Sequence, residues 1–350
     1  MNSWYKLIVL ALLVSCSRQP KELILAEEDS TVTLSPDAGL LKLSDYGFFT
    51  GPLKELRPGK NVFAYQINAP LFSDYAGKKR FIFLPDGKKI RYHEKDVFDF
   101  PEGSVLIKNF LYQNSERNND QKIIETRLLI REASGWKALP YKWNEDQTEA
   151  FLTPAGGDLA IDYRHRNGEM LKINYHIPNQ TQCKNCHARG DQIMPIGPSA
   201  RQLNNGAKKD NVLLAWSAAG ILEGLPSHEQ IPSLVSYENP TASLDLRARS
   251  WLEANCAHCH REDGPAKTSG LHLLAAVTDP LRLGIGKGPV AAGKGSGGRK
   301  YDIVNGNPEA SILYYRIVSN DPGVMMPELG RSVVHKEGAN LIAEWIREMK

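Results

Sequence analysis

Cysteine is scarce in this chain. Only five occur in 350 residues: Cys16, Cys183, Cys186, Cys256 and Cys259. A surplus of either charge is also missing, because Lys+Arg number 43 and Asp+Glu 40, for a formal charge of +3. That balance gives no field strong enough to argue for nucleic acid as a partner. No apolar run reaches the roughly 20 residues that a spanning helix needs, so a multi-span membrane protein is excluded. What remains is ordinary: 41% hydrophobic and 24% charged residues, as in globular chains, which argues against global disorder. The length suits one large domain or two medium ones.

The first sixteen residues read MNSWYKLIVLALLVSC. Lys6 supplies a positive start, and Leu7 to Val14 form an apolar core of signal-peptide length, too short to span a bilayer. Leu13-Val14-Ser15-Cys16 resembles the lipobox of bacterial lipoproteins, in which the cysteine is lipidated and becomes the first residue. The other reading is a plain cleaved signal with an incidental cysteine. Lipidation at Cys16 would anchor a soluble body to a membrane. Ser17 after the cysteine favours the outer membrane, facing the periplasm. Residues 17–40 are polar and read as a tether.

From 41 to 179, short apolar runs alternate with turn residues. Phe81–Leu84, Pro85-Asp86-Gly87 and Lys89–Tyr92 read as a hairpin. Further strands are expected at 62–67, 104–112, 123–131, 136–143, 159–163 and 171–175. Closely spaced short strands predict an antiparallel, sandwich-like β domain. From 180 to 350 the pattern turns helical at 212–222, 244–255 and 335–349, where apolar residues recur three to four apart. The glycine-rich stretch 284–298 reads as too flexible for a core element. The class predicted is therefore α+β, with a boundary near 179.

Four of the cysteines lie in two pairs, each followed by histidine: Cys183-Lys184-Asn185-Cys186-His187 and Cys256-Ala257-His258-Cys259-His260. Both match C-x-x-C-H, the attachment signature of c-type haem. Two thiols three positions apart on a helical turn point to one side and can each add to a vinyl group. The following histidine then offers the iron its proximal nitrogen. A zinc site of four cysteines would not require a histidine after each pair. A thioredoxin-like site would need a βαβ setting. Two covalently attached haem groups are the expectation, held by Cys183, Cys186 and His187 and by Cys256, Cys259 and His260.

For the second haem, Met325-Met326-Pro327 precedes the last helix, the order of a small class I cytochrome c. Met326 is the expected sixth ligand, a soft sulfur that raises the potential. For the first, Met194, one of His93, His165, His176 and His228, or an open iron are alternatives. Gly288–Gly295 nearly fits a phosphate-binding loop, but Gly295 stands where Ser or Thr must reach Mg²⁺, so no nucleotide is expected. His258 is expected to face solvent. Arg247, Arg249, Arg299 and Arg316 are candidates for neutralising haem carboxylates.

These residues resemble a family of exported bacterial dihaem c-type cytochromes, many of them lipoproteins of unassigned physiological role. The resemblance runs over nearly the whole mature chain. It is carried by APLFSDY (69–75), IETRLLI (124–130), WNEDQT (143–148), QCKNCH (182–187), PIGP (195–198), ANCAHCH (254–260), MMPELGR (325–331) and Val334-His335. It implies haem attachment and single-electron transfer between periplasmic redox partners. A peroxidase-like enzyme with an open first haem, and a β-domain binding module with haem-based redox delivery, are the alternatives.

Overall fold

A computed structural model describes residues 39–113, 121–207 and 209–350. The leader, Cys16 and most of the tether lie outside the described residues. Strands β1 (Phe49–Thr50) and β2 (Arg57–Pro58) form a short ribbon ahead of β3 (Val62–Tyr65) and β4 (Gly77–Phe83). β5 (Ile90–Arg91) precedes the long strands β6 (Val105–Gln113), β7 (Gln121–Glu132) and β8 (Gly135–Trp143), then β9 (Ala150–Leu152). β10 (Gly157–Arg164) and β11 (Met170–Ile177) form a separate hairpin. After α1 (Cys183–His187) come β12 (Ala188–Arg189) and β13 (Gln192–Ile193), α2 (Ala200–Leu203), α3 (Val212–Ala218) and β14 (Leu222–Glu223). The remaining helices are α4 (Leu244–Asn255), α5 (Pro280–Leu283), α6 (Ile312–Val318) and α7 (Lys336–Glu348). With about 22% helix and 26% strand, the chain is neither all-α nor all-β, and the mixed class holds.

The main sheet is antiparallel throughout, in the order β3-β4-β6-β7-β8-β9. Its middle strands are apolar on both faces because both are covered. One face packs Phe81, Ile107, Leu128, Leu139 and Tyr141 against Leu43, Phe48 and Leu56 of the preceding segment. The other face divides. Phe110 and Tyr112 meet Ile173, Tyr175 and Ile177 of β11. Ile82 and Leu106 meet Ala200, Leu203, Leu213, Trp216, Leu222 and Ile231 from beyond residue 180. The second layer is thus one hairpin plus helical segments, not a second sheet of similar size.

The expected hairpin at 81–92 forms only its turn. Lys88 N–H donates to Pro85 O at 3.1 Å, and Gly87 takes φ 71°. The chain then leaves the sheet, and Ile90 and Arg91 pair in parallel with Leu222 and Glu223. Burial of Ile90 in the core shared with Leu222 outweighs the local turn signal. The glycine-rich stretch is likewise structured. Gly295 is buried, and a Cβ there would lie 3.0 Å from Arg316 Cζ, so glycine lets the backbone approach that guanidinium.

In the last third, α4 and α7 pack through Trp251, Leu252, Leu341, Ile342, Trp345 and Ile346. The side chain of Ser243 accepts from Leu246 N–H at 3.2 Å and caps α4. Trp251 Nε1 donates to His335 Nδ1 at 3.0 Å. Gly338 sits over that pair, where a Cβ would be 2.4 Å from Trp251 Nε1 and 2.6 Å from His335 Nδ1. Gly338→Ala is expected to force the helices apart and cost about 1–3 kcal/mol. Thermal unfolding checks this; an unchanged or raised Tm would show that the helices accommodate the methyl. Among the described residues, no helix is long and apolar enough to cross a membrane.

Candidate functional site

Both C-x-x-C-H motifs lie at helix boundaries. The first forms α1 itself, a single turn after the β10–β11 hairpin. The second follows α4: Cys256 is its C-cap residue, and His260 N–H returns to Cys256 O at 2.9 Å. A single turn separates the two cysteines of each motif, helical in the first and closed in the second by Cys259 N–H to Cys256 O at 3.1 Å.

The two histidines are held alike. His187 Nδ1 lies 2.8 Å from Met194 O. A carbonyl only accepts, so Nδ1 carries the proton and Nε2 the lone pair. His260 Nδ1 lies 3.0 Å from Ser269 Oγ. That hydroxyl uses its own proton on Ala266 O at 2.8 Å, so it accepts from His260. The lone pair is again on Nε2, and neither Nε2 has a hydrogen-bond partner among the described residues. Burial pushes both imidazoles down, to about 4, so each is neutral at pH 7. A neutral imidazole with Nδ1–H tied and Nε2 free is the form that ligates a metal.

Met194 reaches His187 through its backbone. Its N–H donates to His187 O at 2.7 Å and its carbonyl takes the ring proton, because β12 and β13 fold the chain straight back. The other histidines named from the sequence are engaged elsewhere. His176 bonds Asp158 at 2.8 Å and Gln182 at 2.9 Å, and His165 bonds Asn167 at 2.7 Å and Glu337 at 2.9 Å. His228 Nε2 faces Asn211 at 3.2 Å, and His93 Nδ1 accepts from Asp96 N–H at 3.0 Å.

The motifs touch one another, which the sequence did not reveal. Cys186 Sγ, Cys259 Sγ and a ring nitrogen of His258 all lie within 4.8 Å of one another. Hydrogen bonds from the Cys259 thiol and His258 hold the Cys186 thiol below its usual range, and the same contact raises Cys259. Burial pushes Cys183 up, and Cys256 up to about 12. His258, expected in solvent, is buried, with Nδ1 lacking a partner among the described residues. The outward side of one motif is covered by the other.

A cavity of about 230 Å³ opens beside the first motif, several times the roughly 30 Å³ share of one water. Cys183, Cys186, His187 and His258 line it, with Leu106 and Ile67 from the sheet side and Pro327 and Leu329 from the loop after Met326. Met325 is buried, while Met326 is half-buried. Arg331 fixes that loop: its guanidinium donates to the carbonyls of Met326 (3.0 Å), Ile317 (3.2 Å) and Ser319 (2.8 Å). Of the arginines named from sequence, Arg249 bonds the carbonyls of Leu274, Ala275 and Val277, and Arg299 lies over Tyr315. Arg247 reaches Tyr237 O at 3.4 Å. Arg316 is close enough to lower His260 further.

An ion-pair cluster ties both motifs to the sheet half. Asp96 pairs with Arg189, two residues past His187, and with Arg261, next to His260, at 3.3 Å. Arg261 also bonds Asp263 at 2.6 Å. Burial opposes ionisation of Asp96, but Arg189 and Arg261 prevail and hold its carboxyl down at about 2. The unfolded value is near 3.9. The stabilisation is therefore complete above pH 4 and lost as pH falls through 2. It amounts to about 2 kcal/mol. Denaturant unfolding should find Asp96→Asn less stable by about that much at pH 7, with the gap shrinking below pH 4. A gap constant with pH would refute the assignment.

In comparisons with family models, curated proteins and solved structures, none matches the chain.

Proposed function

We propose that this chain is an exported, lipid-anchored dihaem cytochrome c, with both haems carried by segment 180–350 and single-electron transfer between periplasmic partners as its role. Cys183 and Cys186 would hold one haem by thioethers and His187 Nε2 would ligate its iron; Cys256, Cys259 and His260 Nε2 would do the same for the other. Bound in this way, each haem supplies one-electron Fe(III)/Fe(II) chemistry. The observation that carries the reading is the matched state of the two histidines, each with Nδ1–H engaged and Nε2 free beside a pair of thiols. The donor set fits the group: two thiols, a neutral imidazole and, beside the first motif, a roomy cavity lined by both apolar and charged side chains. The protein's part is to orient the imidazoles through Met194 O and Ser269, holding the ligands partly buried.

The contact of Cys186, His258 and Cys259 also suits a soft metal ion. Intact-mass measurement of exported protein separates the two readings. Covalent addition of two haem masses is expected; an unmodified polypeptide mass would overturn the haem reading.

For the second haem, Met326 is the proposed sixth ligand. Met325 is buried in the core, while Met326 is only half-buried and so has the more accessible sulfur. Met326→Ala is expected to abolish the weak near-infrared sulfur-to-iron(III) band. Met325→Ala should leave the band and instead lose about 2–5 kcal/mol of stability through the cavity it creates. The reverse pattern would move the ligand by one residue.

A haem enzyme is the second reading, and one observation favours it. Met194 engages His187 through its backbone, and His93, His165, His176 and His228 each have a ring nitrogen bonded elsewhere, so none of the five is committed to the first iron. An electron paramagnetic resonance spectrum with a high-spin signal from one haem would support this reading; two low-spin haems would support electron transfer.

A further inference from the structure

The sheet face that closes the cavity carries three cations side by side. Arg80 on β4, Lys108 on β6 and Arg127 on β7 are direct register partners across neighbouring strands. Lys78, Phe110 and Glu125 form the next row on the same face. Lys108 Nζ lies 4.8 Å and Arg127 Cζ 4.4 Å from the centre of the Phe110 ring, so the charges crowd one apolar surface. The two rows hold four cations and one carboxylate. That carboxylate, Glu125, is committed to Arg127 by bonds of 2.5 and 2.8 Å and to Tyr175 OH at 2.7 Å. The side chains of Arg80 and Lys108 have no hydrogen bond or ion pair among the described residues.

Like charges directly opposed across strands destabilise a sheet. Withdrawing them from water makes the repulsion worse. Here they line the cavity together with Cys183, Cys186 and His187. Such a row is tolerable when a ligand brings the missing negative charge.

We propose that Arg80, Lys108 and Arg127 form a carboxylate-binding site on the sheet wall of this cavity. The carboxylates come either from the first haem or from a small carboxylic acid entering beside it. The first source rests on the haem reading; the second does not. Guanidinium and ammonium groups at neighbouring strand positions suit a ligand with two carboxylates.

The test uses Lys108→Met and Arg80→Leu in the exported protein, with the exposed Lys89→Met as control. If haem carboxylates occupy the site, both variants lower the potential of one haem and lower the Tm by at least about 2 °C. In a chain carrying Cys183→Ala and Cys186→Ala, the same Lys108→Met should raise the Tm, because only repulsion is removed. If a free acid occupies the site, succinate raises the wild-type Tm beyond chloride at equal ionic strength, and Lys108→Met weakens that effect about tenfold. This arm reads out on protein without haem as well, so it survives failure of the haem reading. Should Lys108→Met stabilise the exported protein, with no shift in potential and no succinate effect, the site is refuted. An equal response of Lys89→Met would refute it too.

Discussion

Cys183→Ala combined with Cys186→Ala is expected to yield a protein carrying one covalent haem instead of two. The remaining haem should keep the near-infrared band expected of Met326, since Met326 is proposed as the ligand of the second haem. Intact mass and the absorbance per protein read this directly, and the mirror pair Cys256→Ala with Cys259→Ala should keep one haem and lose the band. A double variant that still carries two haems would show that Cys183 and Cys186 are not attachment points. Single replacement of Cys186 should also relax Cys259, whose thiol is raised by the contact between them. A metal ion held by Cys186, His258 and Cys259 would give a different result: loss of the ion and no change of covalent mass.

Glu125→Gln is expected to be among the most destabilising single substitutions in the chain. Glu125 is fully buried and takes two bonds from Arg127 and one from Tyr175. The amide keeps the shape but leaves Arg127 beside Lys108, Arg80 and Lys78 with no negative charge in either row. Lys78 already bears the strain of the crowding: burial, then Arg80 and Arg127, push it down to about 7. Breaking a buried pair on one side costs about 3–5 kcal/mol. Replacing both partners, as in Glu125→Leu with Arg127→Met, should cost much less. Denaturant unfolding of the three variants checks the order; a Glu125→Gln loss under about 1 kcal/mol would contradict it.

Local chemistry was legible in the sequence wherever neighbours in the chain do the work. The strands at 104–112, 123–131 and 136–143 and the helices at 244–255 and 335–349 follow from apolar spacing, and all five form within a residue or two of that reading. The two C-x-x-C-H turns are equally local. What the spacing did not reveal depends on register and docking. Lys108 interrupts an apolar run and Arg127 follows Glu125-Thr126 in another; only the pairing of β6 with β7 sets the two cations side by side. His258 belongs to an ordinary turn until α1 arrives to cover it. The sequence offers Met194 for its sulfur, while the turn of β12 and β13 brings its backbone to His187. The hairpin at 81–92 does not form because β3 and β6 occupy both edges of β4, and Ile90 pairs with Leu222 instead.

The core under Ile82 and Leu106 has a further consequence. Its walls come from α2, α3 and β14, about a hundred residues later in the chain, while the boundary read from composition falls near 179. A cut there would separate strands from helices yet leave one hydrophobic interior torn open, baring Ile82, Ile90, Leu106, Leu213 and Trp216 to water. The ion pairs from Asp96 to Arg189 and Arg261 would break at the same seam. Compositional halves and hydrophobic interiors therefore do not coincide: the sheet needs the segment that follows the first cysteine motif to cover its second face, and a truncation meant to isolate the sheet has to carry residues as far as Ile231.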